Sequence, residues 1–178
     1  VAVAAVVQLE VTHDDGSRSL IATDADWRAG VGEILFTDLY DGEKVDARRA
    51  APGWSRPDFD ASSWLPVEVG ASDAERLVMP TDAPVRAVET LRPVEVSVQE
   101  RRVLPLGRLR IRVSGPAGRT ITLRHAEVLD DGVLGMRTLR EAQATDTYTL
   151  AGDGVEEWEP AFAIHGFRYA DVTGWPGG

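Results

Sequence analysis

The sequence contains no cysteine among its 178 residues, which excludes disulfide bonds, thiolate metal sites and cysteine nucleophiles. It also lacks any apolar run near the roughly 20 residues that a membrane-spanning helix requires, so we expect no membrane partner. Lysine is nearly absent, since Lys44 is the only lysine among 19 basic residues. The net charge of −10 is the opposite of the basic surface that phosphate binding needs, so we expect no nucleic-acid partner.

Signatures of several enzyme classes are missing as well. The chain has neither the Gly-x-Ser-x-Gly sequence of a serine hydrolase nor a glycine-rich phosphate loop. The three histidines, His13, His125 and His165, are too scattered to suggest a metal triad. His125 and Glu127 would share one face of a strand, which is compatible with a ligand pair but also with ordinary polar packing.

What the sequence has is alternation of apolar and polar residues. Residues 1–11 are apolar at nearly every position, as in a buried strand, and residues 19–22 follow an Asp-Asp-Gly-Ser turn as a hairpin partner. Residues 109–113 and 120–124 alternate on either side of a Gly-Pro-Ala-Gly turn, which predicts a second hairpin. The pattern predicts an all-β, antiparallel β-sandwich of the jelly-roll or concanavalin-like kind, with room for two packed β units.

Further short segments complete this prediction. A stretch with Pro80 and Pro84 shows no regular period, which places a domain boundary nearby and divides the chain into residues 1–76 and 77–178. Helical pattern is limited to a short turn near residues 57–62. The additional predicted strands are residues 33–36, 94–98, 146–150, 161–164 and 167–172.

Acidic residues are abundant, with 29 Asp and Glu, so pairs of carboxylates occur by chance and decide little. The densest group surrounds Gly42 and could bind calcium or contact a sugar, because closely spaced oxygen ligands suit that ion. The alternative is a hydrogen-bonded structural turn in which Lys44 and Arg48 neutralise the acids. The members of this group are Asp38, Asp41, Glu43 and Asp46.

Two stretches together resemble a known family. The first, in residues 22–64, reads ATDADW…LYDGEKVDARR…GWSRPDFDASSW, and the second, in residues 115–177, contains TLRHAEVLDDG, ATDTYTL and AIHGFRYADVTGWPG. Both resemble the accessory β domains of bacterial α-L-rhamnosidases of glycoside hydrolase family 78. Residues 103–107 stand where that family usually has a longer Asp-x-Gly-Gln-Asn segment, so any role of that segment is not carried over.

The resemblance implies a hydrolase that removes terminal α-L-rhamnose with inversion, with its catalytic acids in an (α/α)6 barrel C-terminal to the β domains. Because no such barrel fits an all-β chain, we expect no catalytic residue here and an inactive chain. Residues 1–76 would be the later part of an N-terminal jelly-roll domain and residues 77–178 a concanavalin-like domain. The expected partner is the catalytic barrel of the parent enzyme, and extracellular and cytoplasmic operation both stay open.

Two other functions stay open at this point. Tryptophans and the acids around Gly42 would suit a module that binds rhamnose-containing glycans, with or without calcium, and a β-sandwich could also serve domain assembly alone. Within the second stretch, Arg168 is predicted to have a structural role. It would pair with Glu127 or Asp146 and fasten neighbouring strands.

Overall fold

The computed structural model describes residues 4–71, 77–91 and 104–177. Two compact units emerge, and each is built from two separate segments. The first comprises Val1–Gly30 and Gly53–Thr90, and the second comprises Val31–Pro52 and Leu91–Gly178. The boundary predicted between residues 76 and 77 stays a prediction, because residues 72–76 lie outside the described residues.

The first unit contains the predicted N-terminal hairpin. Its strands β1 (Gln8–Thr12) and β2 (Arg18–Ala22) pair antiparallel, and the side chain of Asp15 accepts a hydrogen bond from Ser17 N (2.9 Å) in the turn. Nearly all residues of both strands are exposed, so the apolar run does not form the buried strand that we expected. The short strands β3 (Arg28–Ala29) and β6 (Leu65–Pro66) form a second pair.

The second unit is a sandwich around one apolar core. Its larger sheet has the strand order β15-β9-β12-β5-β4, in which only the β12–β5 pair is parallel among the described strands. Two-stranded pairs β13–β8 and β14–β7 accompany it, and β10–β11 forms a small ribbon. The strand bounds are β4 Ile34–Asp38, β5 Gly42–Asp46, β7 Leu104–Gly107, β8 Ile111–Ser114, β9 Thr120–Ala126, β10 Leu129–Asp130, β11 Val133–Leu134, β12 Thr145–Thr149, β13 Val155–Trp158, β14 His165–Phe167 and β15 Tyr169–Thr173.

The core of the second unit lies between these sheets. Alternation in β8 and β9 directs one apolar face of each strand inward. The residues of the buried cluster are Val45, Ile111, Val113, Ile121, Leu123, Tyr148 and Leu150. The all-β class and the sandwich are therefore confirmed, and the described residues contain no α-helix but two short 3-10 turns at Ala47–Arg49 and Met136–Leu139.

Several local predictions are wrong. Strands β8 and β9 do not pair as a hairpin: β8 pairs with β13, while β9 lies between β12 and β15. Residues 161–164 are irregular, because the backbone N–H groups of Ala161 and Phe162 donate to the Glu43 side chain instead of to a neighbouring strand. Residues 167–172 divide between two strands.

The short turn predicted near residues 57–62 is present, and the strand predicted at residues 94–98 lies outside the described residues.

Candidate functional site

The acids around Gly42 do not converge on a shared point. Asp38 Oδ1 accepts hydrogen bonds from Tyr40 N (2.8 Å) and Asp41 N (3.0 Å), which closes the turn between β4 and β5. Asp41 Oδ1 instead accepts a hydrogen bond from Gln143 N (3.1 Å) and so ties this turn to the segment before β12. These carboxylates therefore perform the structural task that the sequence left as the alternative to calcium.

The other two acids of the group lie on β5 and are buried. Glu43 is 1% exposed, and its carboxylate accepts hydrogen bonds from Ala161 N (3.0 Å) and Phe162 N (2.9 Å). Asp46 accepts two hydrogen bonds from the guanidinium of Arg48, each 2.8 Å long. The hydrogen bond from Arg48 lowers the pKa of the Asp46 carboxyl. Both carboxylates are thus occupied by groups of the chain itself.

The ion pair predicted for Arg168 is not formed. Among the described side chains, Arg168 lies within ion-pairing distance of neither Glu127 nor Asp146. Burial excludes the pair with Asp146, because Asp146 is fully buried whereas Arg168 is exposed where the chain passes from β14 to β15. Glu127 is exposed just after β9. What Arg168 contributes is its backbone N–H, which donates to Ala126 O (2.9 Å).

Asp146 belongs to a different cluster, buried in the second unit. Strands β9, β12 and β14 supply His125, Asp146 and His165, whose ligand-type atoms all lie within 4.8 Å of one another. His165 Nε2 is 3.1 Å from each oxygen of the Asp146 carboxylate and donates to it. The two imidazole rings stack with their centroids 4.3 Å apart. We call these three residues the His–Asp–His cluster.

His125 is held in one orientation. Its Nδ1 lies 3.0 Å from Ala144 O, and because a carbonyl only accepts hydrogen bonds, Nδ1 carries the proton. The other nitrogen, Nε2, has no hydrogen-bond partner among the described residues and lies 3.9 Å from Asp146 Oδ2. Burial lowers the pKa of His125 because desolvation penalises the charged ring, although the bond to Ala144 opposes this shift. His125 therefore has a buried Nε2 atom without a hydrogen-bond partner among the described residues.

A residue outside the cluster also positions the Asp146 carboxylate. Asp146 Oδ1 accepts a hydrogen bond from Glu43 N (2.8 Å), so the first residues of β5 support the cluster. Gly42 precedes this contact with φ of +103°, and a Cβ there would lie 2.7 Å from Asp146 Oδ1. Glycine is thus required at position 42 by both conformation and space.

Sequence reasoning missed this cluster. One signal was present, because Ile121, Leu123 and His125 alternate on the inward face of β9, which predicts a buried imidazole. His165 carried no comparable signal, since its strand is only three residues long.

Comparisons with known proteins find two family matches in successive parts of the chain. The family described as α-L-rhamnosidase N-terminal domain matches residues 2–89, and the bacterial α-L-rhamnosidase concanavalin-like domain matches residues 104–178.

The chain belongs to the bacterial α-L-rhamnosidase family.

Relatives named α-L-rhamnosidase match nearly the whole chain. The one from Streptomyces avermitilis is 46% identical over 98% of this chain, and the one from Alteromonas sp. is 35% identical over 95%. These matches occupy only 18% and 19% of the respective relatives, so the chain spans about a fifth of the length of the rhamnosidases it resembles.

Solved rhamnosidase structures show the same fold. The native enzyme from Aspergillus terreus superposes with a TM-score of 0.85 at 43% identity, covering 97% of this chain and 21% of that one. The Streptomyces avermitilis enzyme, solved in complex with L-rhamnose, gives a TM-score of 0.84 at 43% identity, over 97% of this chain and 18% of that one. The chain thus corresponds to the accessory β domains of rhamnosidases.

Proposed function

We propose that this chain is the non-catalytic accessory β region of an α-L-rhamnosidase that hydrolyses terminal α-L-rhamnose from glycosides, and that it scaffolds a catalytic (α/α)6 barrel elsewhere in the parent protein. The observation that carries this proposal is the pair of family matches, because consecutive accessory domains account for nearly the whole chain. The small share of each relative that the chain covers leaves ample length for a catalytic domain.

The use of the acids in the structure supports a non-catalytic role. Glycoside hydrolysis needs two carboxylates about 5–10 Å apart that face the scissile bond from opposite sides. Here the buried carboxylates of Glu43, Asp46 and Asp146 each accept hydrogen bonds from the chain's own backbone, arginine or imidazole groups. The chain itself therefore supplies hydrogen-bond partners for these carboxylates.

A direct test is an activity assay with p-nitrophenyl α-L-rhamnopyranoside. We expect the purified chain to release no nitrophenol above the blank, while the Streptomyces avermitilis enzyme, assayed in parallel, turns the substrate over. Hydrolysis that rises in proportion to the concentration of this chain and persists through repurification would overturn the proposal.

Calorimetric titration with L-rhamnose, with and without calcium, separates the scaffold from a sugar-binding module. We expect no heat of binding up to millimolar sugar, because the four acids around Gly42 are engaged in separate hydrogen bonds. Calcium-dependent heat that disappears in Asp41→Asn would instead establish a module that captures rhamnose.

A further inference from the structure

The His–Asp–His cluster has the composition of a metal site, although the acids predicted to bind metal lie elsewhere. Two imidazoles and one carboxylate come from β9, β12 and β14, which belong to one compact unit. All three side chains are at least 96% buried, His165 being the most exposed at 4%. A buried set of this kind must satisfy its own polar atoms, because water does not reach them.

One polar atom of the His–Asp–His cluster lacks a hydrogen bond. His125 Nε2 is the buried side-chain atom that lacks a hydrogen-bond partner among the described residues. Its lone pair lies 3.9 Å from Asp146 Oδ2, and two acceptors cannot bond to each other without a proton or a cation between them. A cation between His125 Nε2 and Asp146 Oδ2 would satisfy both atoms.

The surroundings orient the three atoms as a metal site does. The carbonyl of Ala144 fixes the proton of His125 on Nδ1, which leaves Nε2 available as a ligand. The N–H of Glu43 binds Asp146 Oδ1, which leaves Oδ2 for the ion. Imidazoles and carboxylates that bind metal usually have such outer partners.

The spacing also fits. Metal–ligand bonds of about 2.0–2.1 Å at tetrahedral angles place neighbouring ligand atoms about 3.3 Å apart. His165 Nε2 lies 3.1 Å and His125 Nε2 3.9 Å from Asp146 Oδ2, and all three ligand atoms lie within 4.8 Å of one another. The two stacked rings must therefore turn toward a common point for all three atoms to reach one ion. For Nε2 of His165 to bind the ion, the proton that it donates to Asp146 must move to Nδ1 by exchange with solvent, so that the ring binds as a neutral imidazole.

We infer that His125, Asp146 and His165 bind one divalent transition-metal ion of the zinc class through His125 Nε2, Asp146 Oδ2 and His165 Nε2. Two imidazole ligands favour zinc, cobalt or nickel over calcium or magnesium, which prefer oxygen. The ion would join three strands of the sandwich.

The test is a calorimetric titration in which Zn²⁺ alone is added to the chelator-treated chain. We expect one ion per chain, and we expect His125→Gln to weaken binding at least about tenfold, because loss of even an outer partner costs that much at such sites. His13→Gln is the matched control, since His13 is the remaining histidine, is exposed, and belongs to the other compact unit. It should bind Zn²⁺ as the unaltered chain does.

A second measurement needs no variant and covers the case in which His125→Gln does not fold. In the ¹⁵N spectrum of the unaltered chain, Zn²⁺ should shift the Nε2 resonances of His125 and His165 and leave those of His13 in place. If the chain takes up no stoichiometric Zn²⁺, if the shifts fall on His13, or if folded His125→Gln binds as tightly as the unaltered chain, the inference is wrong. The cluster is then a metal-free polar network.

Discussion

At the scale of single residues, Gly42 occupies a position in the second unit that only glycine fits without strain. Its φ of +103° is a conformation that L side chains rarely adopt, and a Cβ would collide with Thr145 O and lie 2.7 Å from Asp146 Oδ1. We expect Gly42→Ala to lower the free energy of unfolding by about 2–4 kcal/mol, combining backbone strain and overpacking. Urea unfolding followed by tryptophan fluorescence measures this loss.

Gly154 provides the control for that experiment. Its φ of +95° is similar, but a Cβ there would meet nothing within 4 Å. Gly154→Ala should therefore cost only the backbone strain of about 1–2 kcal/mol. Equal losses in the two variants would show that the close contact with Asp146 does not matter.

Asp46 provides a prediction about acid pH. Its pKa is lowered first by the hydrogen bond from the Arg48 side chain, so its carboxylate stabilises the fold above the unfolded pKa of about 3.9. That contribution is lost as the pH falls through the lower, folded pKa. We expect Asp46→Asn to lower the urea midpoint at pH 7, with the difference from the unaltered chain shrinking toward pH 3. Asp153→Asn, at an exposed acid of the same unit, should show no such convergence.

Residue patterns show which side chains face inward but not which ones meet. The period of two in β9 places His125 on the inward face of the sheet. It does not predict that Asp146 and His165 contact His125, because these residues lie on other strands, 20 or more residues further along the chain. The ion pair predicted between Arg168 and Asp146 was wrong because Asp146 is buried whereas Arg168 is exposed. Contacts between distant strands depend on the order of strands in the sheet.

At the scale of elements, the order of the strands in the sheets was not predicted from the sequence. The turn between residues 113 and 120 indicated a hairpin, yet β8 and β9 lie in different sheets and contribute Ile111, Val113, Ile121 and Leu123 to one core. Alternation is equally consistent with pairing side by side and with packing face to face. The N-terminal hairpin was predicted correctly because its partners are adjacent in the chain and its turn fixes the register.

A hydrogen bond from Tyr148 connects the larger sheet to the β13–β8 pair. Tyr148 on β12 donates to Glu156 Oε2 on β13 (2.9 Å), and its ring stacks on Trp158 with centroids 5.0 Å apart. Tyr148→Phe keeps the ring and removes the hydroxyl, so we expect a loss of about 1–3 kcal/mol, as for other hydrogen bonds to charged groups. Thermal or urea unfolding at pH 7 measures this loss.

The same variant tests alkaline stability. Burial, together with the bond to Glu156, raises the pKa of Tyr148 above its usual value of 10.0. The folded state then retains a proton that the unfolded state releases, so the unaltered chain loses stability as the pH rises above about 10. We expect Tyr148→Phe to lose less stability over that range than Tyr40→Phe, whose ring is exposed. Parallel alkaline curves for the two variants would contradict the assignment to Tyr148.

At the scale of the whole molecule, the compact units do not follow the linear division of the sequence. The N-terminal family match runs through residues 2–89, yet Val31–Pro52 within it belongs to the same compact unit as Leu91–Gly178. A shift in composition indicates a linker between domains. The ends of Val31–Pro52 show no such shift, so composition does not predict that this segment belongs to the second unit. The pairing of β5 with β12, which brings this segment into the sandwich, is parallel and spans about a hundred positions of sequence.

This arrangement predicts that residues 91–178 alone do not fold cooperatively. Without residues 31–52 the sheet loses β4 and β5, the core loses Val45, and Ala161 N and Phe162 N lose their acceptor on Glu43. Burial of a valine is worth about 1.5–3 kcal/mol, and loss of β5 also leaves β12 without its parallel neighbour. A typical domain is stabilised by only about 5–15 kcal/mol, so we expect residues 91–178 to lack a sharp urea transition.

The control is a chain in which residues 31–52 are joined to residues 91–178 by a flexible Gly/Ser linker, with residues 53–90 removed. This chain retains every strand of the larger sheet, and we expect it to unfold in one cooperative transition with tryptophan fluorescence and near-ultraviolet circular dichroism coinciding. Residues 91–178 alone could instead unfold as sharply as the linked chain and at the same urea concentration. That result would contradict the prediction, because the domain would then fold without β4 and β5. If only the linked chain folds, the structural unit of this accessory region begins at residue 31, inside the N-terminal family match.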